Sequence, residues 1–172
     1  KSDGFTLTDQ VSGYSRAIDS YEYGNRDKNA MYVTSQVRPA FCNPDSMRLG
    51  VRTDILGTYT VYGEFRLNRD GKLEQVSDEL YYNFSYLPEW GRLTAKVDVK
   101  GKEVSEDGSI LDDMVVPKGN ILTYYRTDNK SWVDLKLSSG KIIRVDVKNE
   151  EWPKCINDTP VDDVFDGILW AG

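Results

Sequence analysis

Between Trp132 and Val147 the chain twice places apolar residues at alternate positions. Val133, Leu135 and Leu137 alternate with Asp134 and Lys136. After Ser138, Ser139 and Gly140, the residues Ile143, Val145 and Val147 alternate with Arg144 and Asp146. A period of two belongs to a strand, because successive side chains of extended backbone point to opposite faces. Two such runs joined by a short glycine-containing turn predict an antiparallel meander with one buried face. Upstream, Val115-Val116-Pro117-Lys118-Gly119 reads as a strand end and a turn, since Pro fixes its own φ and Gly admits a left-handed residue. Ile121 to Tyr125 is β-branched and aromatic, which favours a third strand, and 127–130 is a polar loop.

The same period recurs earlier. Met31, Val33 and Val37 share a face, as do Met47, Leu49 and Val51. Tyr59, Val61, Gly63, Phe65 and Leu67 form a longer run, and Leu93, Ala95, Val97 and Val99 another. Asn68-Arg69-Asp70-Gly71 predicts a tight hairpin turn. It lacks the first acidic ligand and the closing Glu of a calcium loop, so the turn reading is the stronger. Tyr81, Tyr82, Phe84 and Tyr86 make an aromatic run that stops at Pro88, and 103–113 is acidic and loop-like. Near the end, Thr159-Pro160-Val161-Asp162 predicts a helix start, with Thr as cap and Pro at the first helical position. Val164, Phe165 and Ile168 would be its packing face, with Gly167 keeping it short. In 1–28 a weak strand signal (Phe5, Leu7, Val11) gives way to helical spacing at Tyr14, Ala17, Ile18 and Tyr21, read as an N-terminal arm with one helical turn.

With 172 residues the chain can bury a sizeable core, and its 39% hydrophobic content includes no long apolar run, so no membrane insertion is expected. A net charge of −6 argues against nucleic acid and against anionic membrane. There is no histidine, which removes the usual general base and the commonest metal ligand. No cofactor and no metal site are predicted. The two cysteines, Cys42 and Cys155, lack metal-type spacing; a disulfide between them and two reduced thiols both remain open. The first residue is Lys rather than Met, so a signal or upstream segment is expected to precede it. Asn83-Phe84-Ser85 and Asn129-Lys130-Ser131 match a glycosylation acceptor pattern that matters only in a eukaryotic secretory route.

Aligning Gly57 with Gly119 brings Tyr62 onto Tyr124 and Val33 onto Ala95, a faint internal repeat. The order of a hydrophobic pair, a glycine turn, a strand, a variable loop, then Trp and an alternating strand resembles the bacterial SH3-like (SH3b) cell-wall module. Val116-Pro117-Lys118-Gly119, Trp132 to Leu137 and Gly140-Lys141 carry the likeness; Leu56 to Glu64 with Trp90-Gly91 looks like a second, divergent copy. The Arg66 to Glu89 insertion, the missing glycine-rich first loop and the C-terminal helix depart from the pattern. The expected fold is mostly β: tandem SH3-like antiparallel barrels with an N-terminal arm (1–29), a first barrel with an inserted hairpin (30–102), and a second barrel with a short C-terminal helix (103–172).

By resemblance, such a module binds cell-wall polymer or peptide from outside the cell, often beside a catalytic domain. The expectation is a non-catalytic binding module of an exported bacterial protein, with Tyr82, Tyr86, Trp90, Tyr62, Tyr125 and Trp132 as ligand-binding aromatics. On alternation, Tyr82, Phe84 and Tyr86 share one strand face, either a stacking platform or the core face of an inserted hairpin. Two alternatives stand beside it. One is a spacer or protein-interaction domain with its aromatics buried. The other is a carboxylate-dependent glycoside hydrolase drawing on Asp112, Asp113, Glu150, Glu151, Asp162, Asp163 or Asp166, which needs two acids opposed across a cleft. Cys42 as a nucleophile lacks a histidine to activate it.

Overall fold

The computed structural model describes residues 18–23, 31–35, 47–69 and 73–171, with those before 48 described by their backbone. The chain divides into two compact units, one of residues 1–52 and 60–78, the other of 53–59 and 79–172.

In the first unit, β1 (Ile18–Tyr23) and β2 (Met31–Ser35) pair antiparallel, Tyr21 opposite Val33 and Tyr23 opposite Met31. The helical spacing at Ile18 and Tyr21 therefore lies in a strand, as suits β-branched and aromatic residues. The rest of the predicted arm lies outside the described residues. β3 (Met47–Thr53) pairs with β4 (Tyr59–Leu67), and β4 with β5 (Leu73–Gln75), Phe65 opposite Gln75 and Leu67 opposite Leu73. Asp70 and Gly71 of the predicted turn lie outside the described residues. Glu74 ties the hairpin: its carboxylate takes a hydrogen bond from Arg66 Nε (3.2 Å) and one from Asn68 Nδ2 (2.9 Å). Leu49 and Val51 on β3, and Val61, Gly63 and Phe65 on β4, are buried, every second residue, as the alternation requires.

The second unit contains β6 (Leu80–Tyr82), a 3-10 turn at Pro88–Gly91, β7 (Arg92–Ala95), β8 (Val99–Val104), β9 (Ile110–Val116), β10 (Ile121–Thr127), β11 (Trp132–Leu137), β12 (Ile142–Asp146), β13 (Cys155–Ile156), β14 (Thr159–Pro160), α1 (Val161–Val164) and β15 (Phe165–Asp166). Strands β6, β10, β11, β12, β8 and β9 follow one another across the sheet. One edge of β10 is shared: residues 121–123 pair with β7, while 126 and 127 pair with β6. The meander β10-β11-β12 matches the alternation of the sequence.

Two predicted features come out differently. The run Leu93 to Val99 is not one strand, because residues 96–98 break it into β7, which pairs with β10, and β8, which pairs with β12. The stretch 103–113 is not a loop but part of the hairpin β8-β9, with Lys102 opposite Asp113 and Glu103 opposite Asp112; residues 102 and 103, where a domain boundary was expected, lie within β8. The break has a geometric consequence. In a flat sheet β7 and β8 would stand four strand spacings apart, about 19 Å, whereas the four Cα steps from Ala95 to Val99 reach about 14 Å at most. The sheet must curl. Among the described residues its hydrogen bonding does not close into a barrel.

Inside the curl lies one apolar core, in which Leu93, Val99, Leu122, Val133, Leu135 and Ile143 meet Val161, Val164 and Phe165 from the C-terminal segment. That segment is less helical than predicted. Thr159 sits in β14 opposite Ile156; Pro160, not Thr159, precedes the first helical residue, and α1 has only four residues. Phe165 leaves the helix to pair with Ala95. At Gly167 (φ +96°) an added Cβ would lie 2.6 Å from the Arg92 carbonyl oxygen, so glycine lets this backbone press against β7. Among the described residues, no helix is long and apolar enough to cross a membrane.

Candidate functional site: a groove along the outer face of β10

Rows of opposed residues on the outer face of the sheet determine what meets there. One row runs Arg92, Thr123, Lys136 across β7, β10 and β11. The next runs Tyr81, Arg126, Asp134, Arg144 across β6, β10, β11 and β12. A bulge at Tyr125 makes this possible: Tyr124 lies opposite Leu135 and Arg126 opposite Asp134, so one extra residue is accommodated on β10.

The second row is sealed. Arg126 and Asp134 are fully buried. Arg126 Nε donates to Asp134 Oδ2 (2.6 Å); Arg144 donates from Nε to Oδ1 (2.7 Å) and from Nη2 to Oδ2 (2.9 Å). The rest of the Arg126 guanidinium reaches the carbonyls of Glu106 (2.8 Å) and Ser105 (2.9 Å), at the tip of the β8-β9 hairpin, and the carboxylate of Glu79. Burial works against the charge on Arg126, yet Asp134, with Glu79 and Tyr81 behind it, holds the guanidinium above its ordinary range.

The first row is open. It floors a groove of about 770 Å³ lined by Arg92, Asn120, Ile121, Thr123, Lys136 and Ser138, with Tyr125 as a wall. Tyr125 is held upright: its hydroxyl donates to Glu106 Oε2 (2.6 Å), its ring meets Tyr81 edge to face (5.8 Å between centroids), and Lys136 Nζ lies 5.0 Å from its centroid. The hydrogen bond to Glu106, with burial second, pushes the Tyr125 hydroxyl up to about 12. Glu106 in turn is drawn below the usual carboxylate range by hydrogen bonds from Lys136 (2.6 Å) and Tyr125. Arg92 is exposed and among the described residues has no acidic partner. Among the described residues, no carboxylate lines the groove. Two cations, hydroxyl and amide groups and one fixed aromatic wall suit an extended ligand carrying carboxylate, carbonyl or hydroxyl oxygens.

The predicted binding aromatics are scattered. Tyr82 packs into an aromatic core cluster with Tyr59, Phe84 and Tyr124, at centroid distances of 4.8–6.1 Å. Its hydroxyl is buried, and burial pushes its titration far up. The strand ends at Tyr82, so the shared face predicted for Tyr82, Phe84 and Tyr86 does not extend that far: Phe84 covers Gly91, whereas Tyr86 is 95% exposed. Trp90, on the 3-10 turn, is half exposed. Tyr62 is half-buried, with the Arg48 guanidinium 5.9 Å from its ring centroid. Trp132 carries the Arg144 guanidinium at 3.7 Å from its centroid and opens β11 as a half-buried plug. Only Tyr125 of the six lines the groove. Cys155 is half-buried, its Sγ 3.3 Å from the Pro153 carbonyl oxygen, and Cys42 lies outside the described residues.

Sequence reading missed Arg92, Thr123 and Lys136, which come together only through strand register. Among the described residues, no group of three or more Cys, Asp or Glu is placed to hold a metal ion. No family model, curated protein or solved structure matches the chain.

Proposed function

We propose that the chain is a non-catalytic binding module of an exported bacterial protein, engaging cell-wall glycan or peptide, and that the ligand lies in the groove beside Tyr125. The observation that carries this reading is the open groove, walled by a braced tyrosine and floored by Arg92, Thr123 and Lys136. The lining offers donors and an aromatic face but no opposed pair of carboxylates, which favours binding over glycoside hydrolysis. The SH3-like reading of the second copy is supported by the curled run β7-β10-β11-β12-β8, whose end strands are joined by residues 96–98.

Retention on purified wall material tests the proposal. Wild type should be retained, and Tyr125→Ala and Arg92→Ala should each lose retention several-fold while keeping the wild-type circular dichroism spectrum. Failure of wild type to bind any wall preparation would overturn it. A second reading, a spacer or protein-interaction domain, is favoured by the edge strand β9, where Ile110, Leu111 and Val115 are exposed. Under that reading the wall fraction retains neither wild type nor variants.

A further inference from the structure

A second aromatic site lies apart from the groove's lining residues. Residues 148–155 form a loop closed at its base, where Lys148 N–H meets the Cys155 carbonyl (2.8 Å) and Cys155 N–H the Lys148 carbonyl (3.2 Å). Trp152 projects from this loop and is 65% exposed. Trp170 meets it nearly at a right angle, 5.1 Å between centroids and 78° between planes. The segment carrying Trp170 is pinned on both sides of Leu169: Thr58 N–H donates to the Leu169 carbonyl (2.7 Å), and Leu169 N–H donates to the Tyr59 hydroxyl (3.3 Å). Trp170 Nε1–H donates to Asp162 Oδ1 (3.1 Å), fixing the ring's orientation. Over that ring stands Lys154 Nζ, 5.4 Å from the centroid; among the described residues its ammonium has no hydrogen-bond acceptor.

The corner combines the exposed Trp152 ring, the Trp170 ring on a held backbone, a donor that among the described residues has no acceptor, and an exposed carboxylate. We infer that Trp152, Trp170, Lys154 and Asp162 form a sugar-binding site that takes one pyranose ring of a glycan. One face of a pyranose is a patch of C–H groups with partial positive charge, the complement of the electron-rich face of an indole. The ring's rim carries hydroxyls that both donate and accept. Lys154 supplies a donor to them and Asp162 an acceptor. Proline itself has no N–H to give, so along a run of prolines the Asp162 acceptor would meet no donor, whereas each pyranose hydroxyl supplies one. The held Trp170 ring, against which Trp152 rests, also lowers the ordering cost of binding.

Tryptophan fluorescence of the full chain, titrated with neutral oligomers of glucose and of N-acetylglucosamine, tests the inference. A saturable change is expected with at least one of them. Trp152→Ala should weaken it tenfold or more, and Lys154→Met, which keeps the aliphatic stem, roughly three- to tenfold. Tyr86→Ala, which removes an exposed ring that belongs to neither set of lining residues, should leave it unchanged. Trp152 is exposed, so its variant should keep the wild-type melting temperature. Absence of any saturable change with both sugars would overturn the inference, as would equal affinity in Trp152→Ala or saturation by a polyproline peptide instead.

Discussion

Asp134 accepts three hydrogen bonds from two arginines while fully buried. A carboxylate in that position is tolerable only because both oxygens are met by charged donors. Removing it leaves the Arg126 guanidinium buried beside a hole, with Glu79 and two carbonyls as its remaining acceptors. Asp134→Ala should therefore cost about 3–5 kcal/mol of stability, the range for breaking a buried pair from one side. Urea denaturation measures it, and a loss under 1 kcal/mol would show that the network is dispensable. At the hairpin tip, Asp107 accepts from the Ser105 hydroxyl and from Ser109 N–H, and these bonds hold its carboxyl at about 2. In Ser105→Ala the side-chain acceptor bond is gone, so an NMR titration of Asp107 should move upward toward the ordinary carboxylate range. No movement would mean that the Ser109 backbone does the work. None of this was visible in the sequence. Asp134 stood at a polar position of an alternating run, and Arg126 and Arg144 lay 8 and 10 residues away; only the bulge at Tyr125 sets all three in one row.

At the scale of elements, the meander β10-β11-β12 was legible because period, turn residues and β-branched content agree there. The break between β7 and β8 was not, because Leu93 to Val99 keeps its alternation straight through it. The causes are long-range: Ala95 N–H bonds to the Asn120 carbonyl, Lys96 N–H to the Val164 carbonyl, and Asp98 Oδ1 accepts from Lys118 N–H (2.8 Å). The aromatic run of 81–86 misled for a related reason. Its alternation put Tyr82, Phe84 and Tyr86 on one shared face, platform or core, but the core cluster around Tyr59 and Tyr124 claims Tyr82 and Phe84 while Tyr86 stays exposed. Where β8 meets β12, the backbones come close at Gly101: a Cβ there would lie 2.2 Å from the Arg144 carbonyl oxygen and 2.9 Å from Ile143 Cγ1. Because one of those atoms is backbone in a paired strand, no rotamer change relieves the clash. Gly101→Ala should lose at least the roughly 1–3 kcal/mol typical of overpacking. Chemical denaturation checks it, and wild-type stability would mean that β8 moves off β12 freely.

At the scale of the whole molecule, tyrosines carry the largest upward shifts among the described residues, and this shapes the response to pH. With no histidine, no side chain has an ordinary titration near pH 6.5. Tyr82 and Tyr124 are raised, burial being the largest cause for both, while Tyr125 is raised to about 12 by Glu106 first. A group whose folded value lies above its unfolded one contributes stability that is whole below the unfolded value and is lost as pH rises toward the folded value. For these phenols that loss begins near pH 10. Lys154, lowered by burial, acts in the opposite sense but is one group against several. On the acid side Glu74, Glu106 and Asp107 are lowered by hydrogen bonds, so their contribution is present above the ordinary carboxylate range and falls away as pH drops toward 2. Unfolding free energy measured in urea from pH 3 to 11 should thus show a plateau between about pH 5 and 9. It should fall on both sides, more steeply on the alkaline side, where deeply buried phenols are opposed by the cost of ionising inside the core. A step centred near pH 6.5 would contradict this account, and so would stability still rising above pH 10.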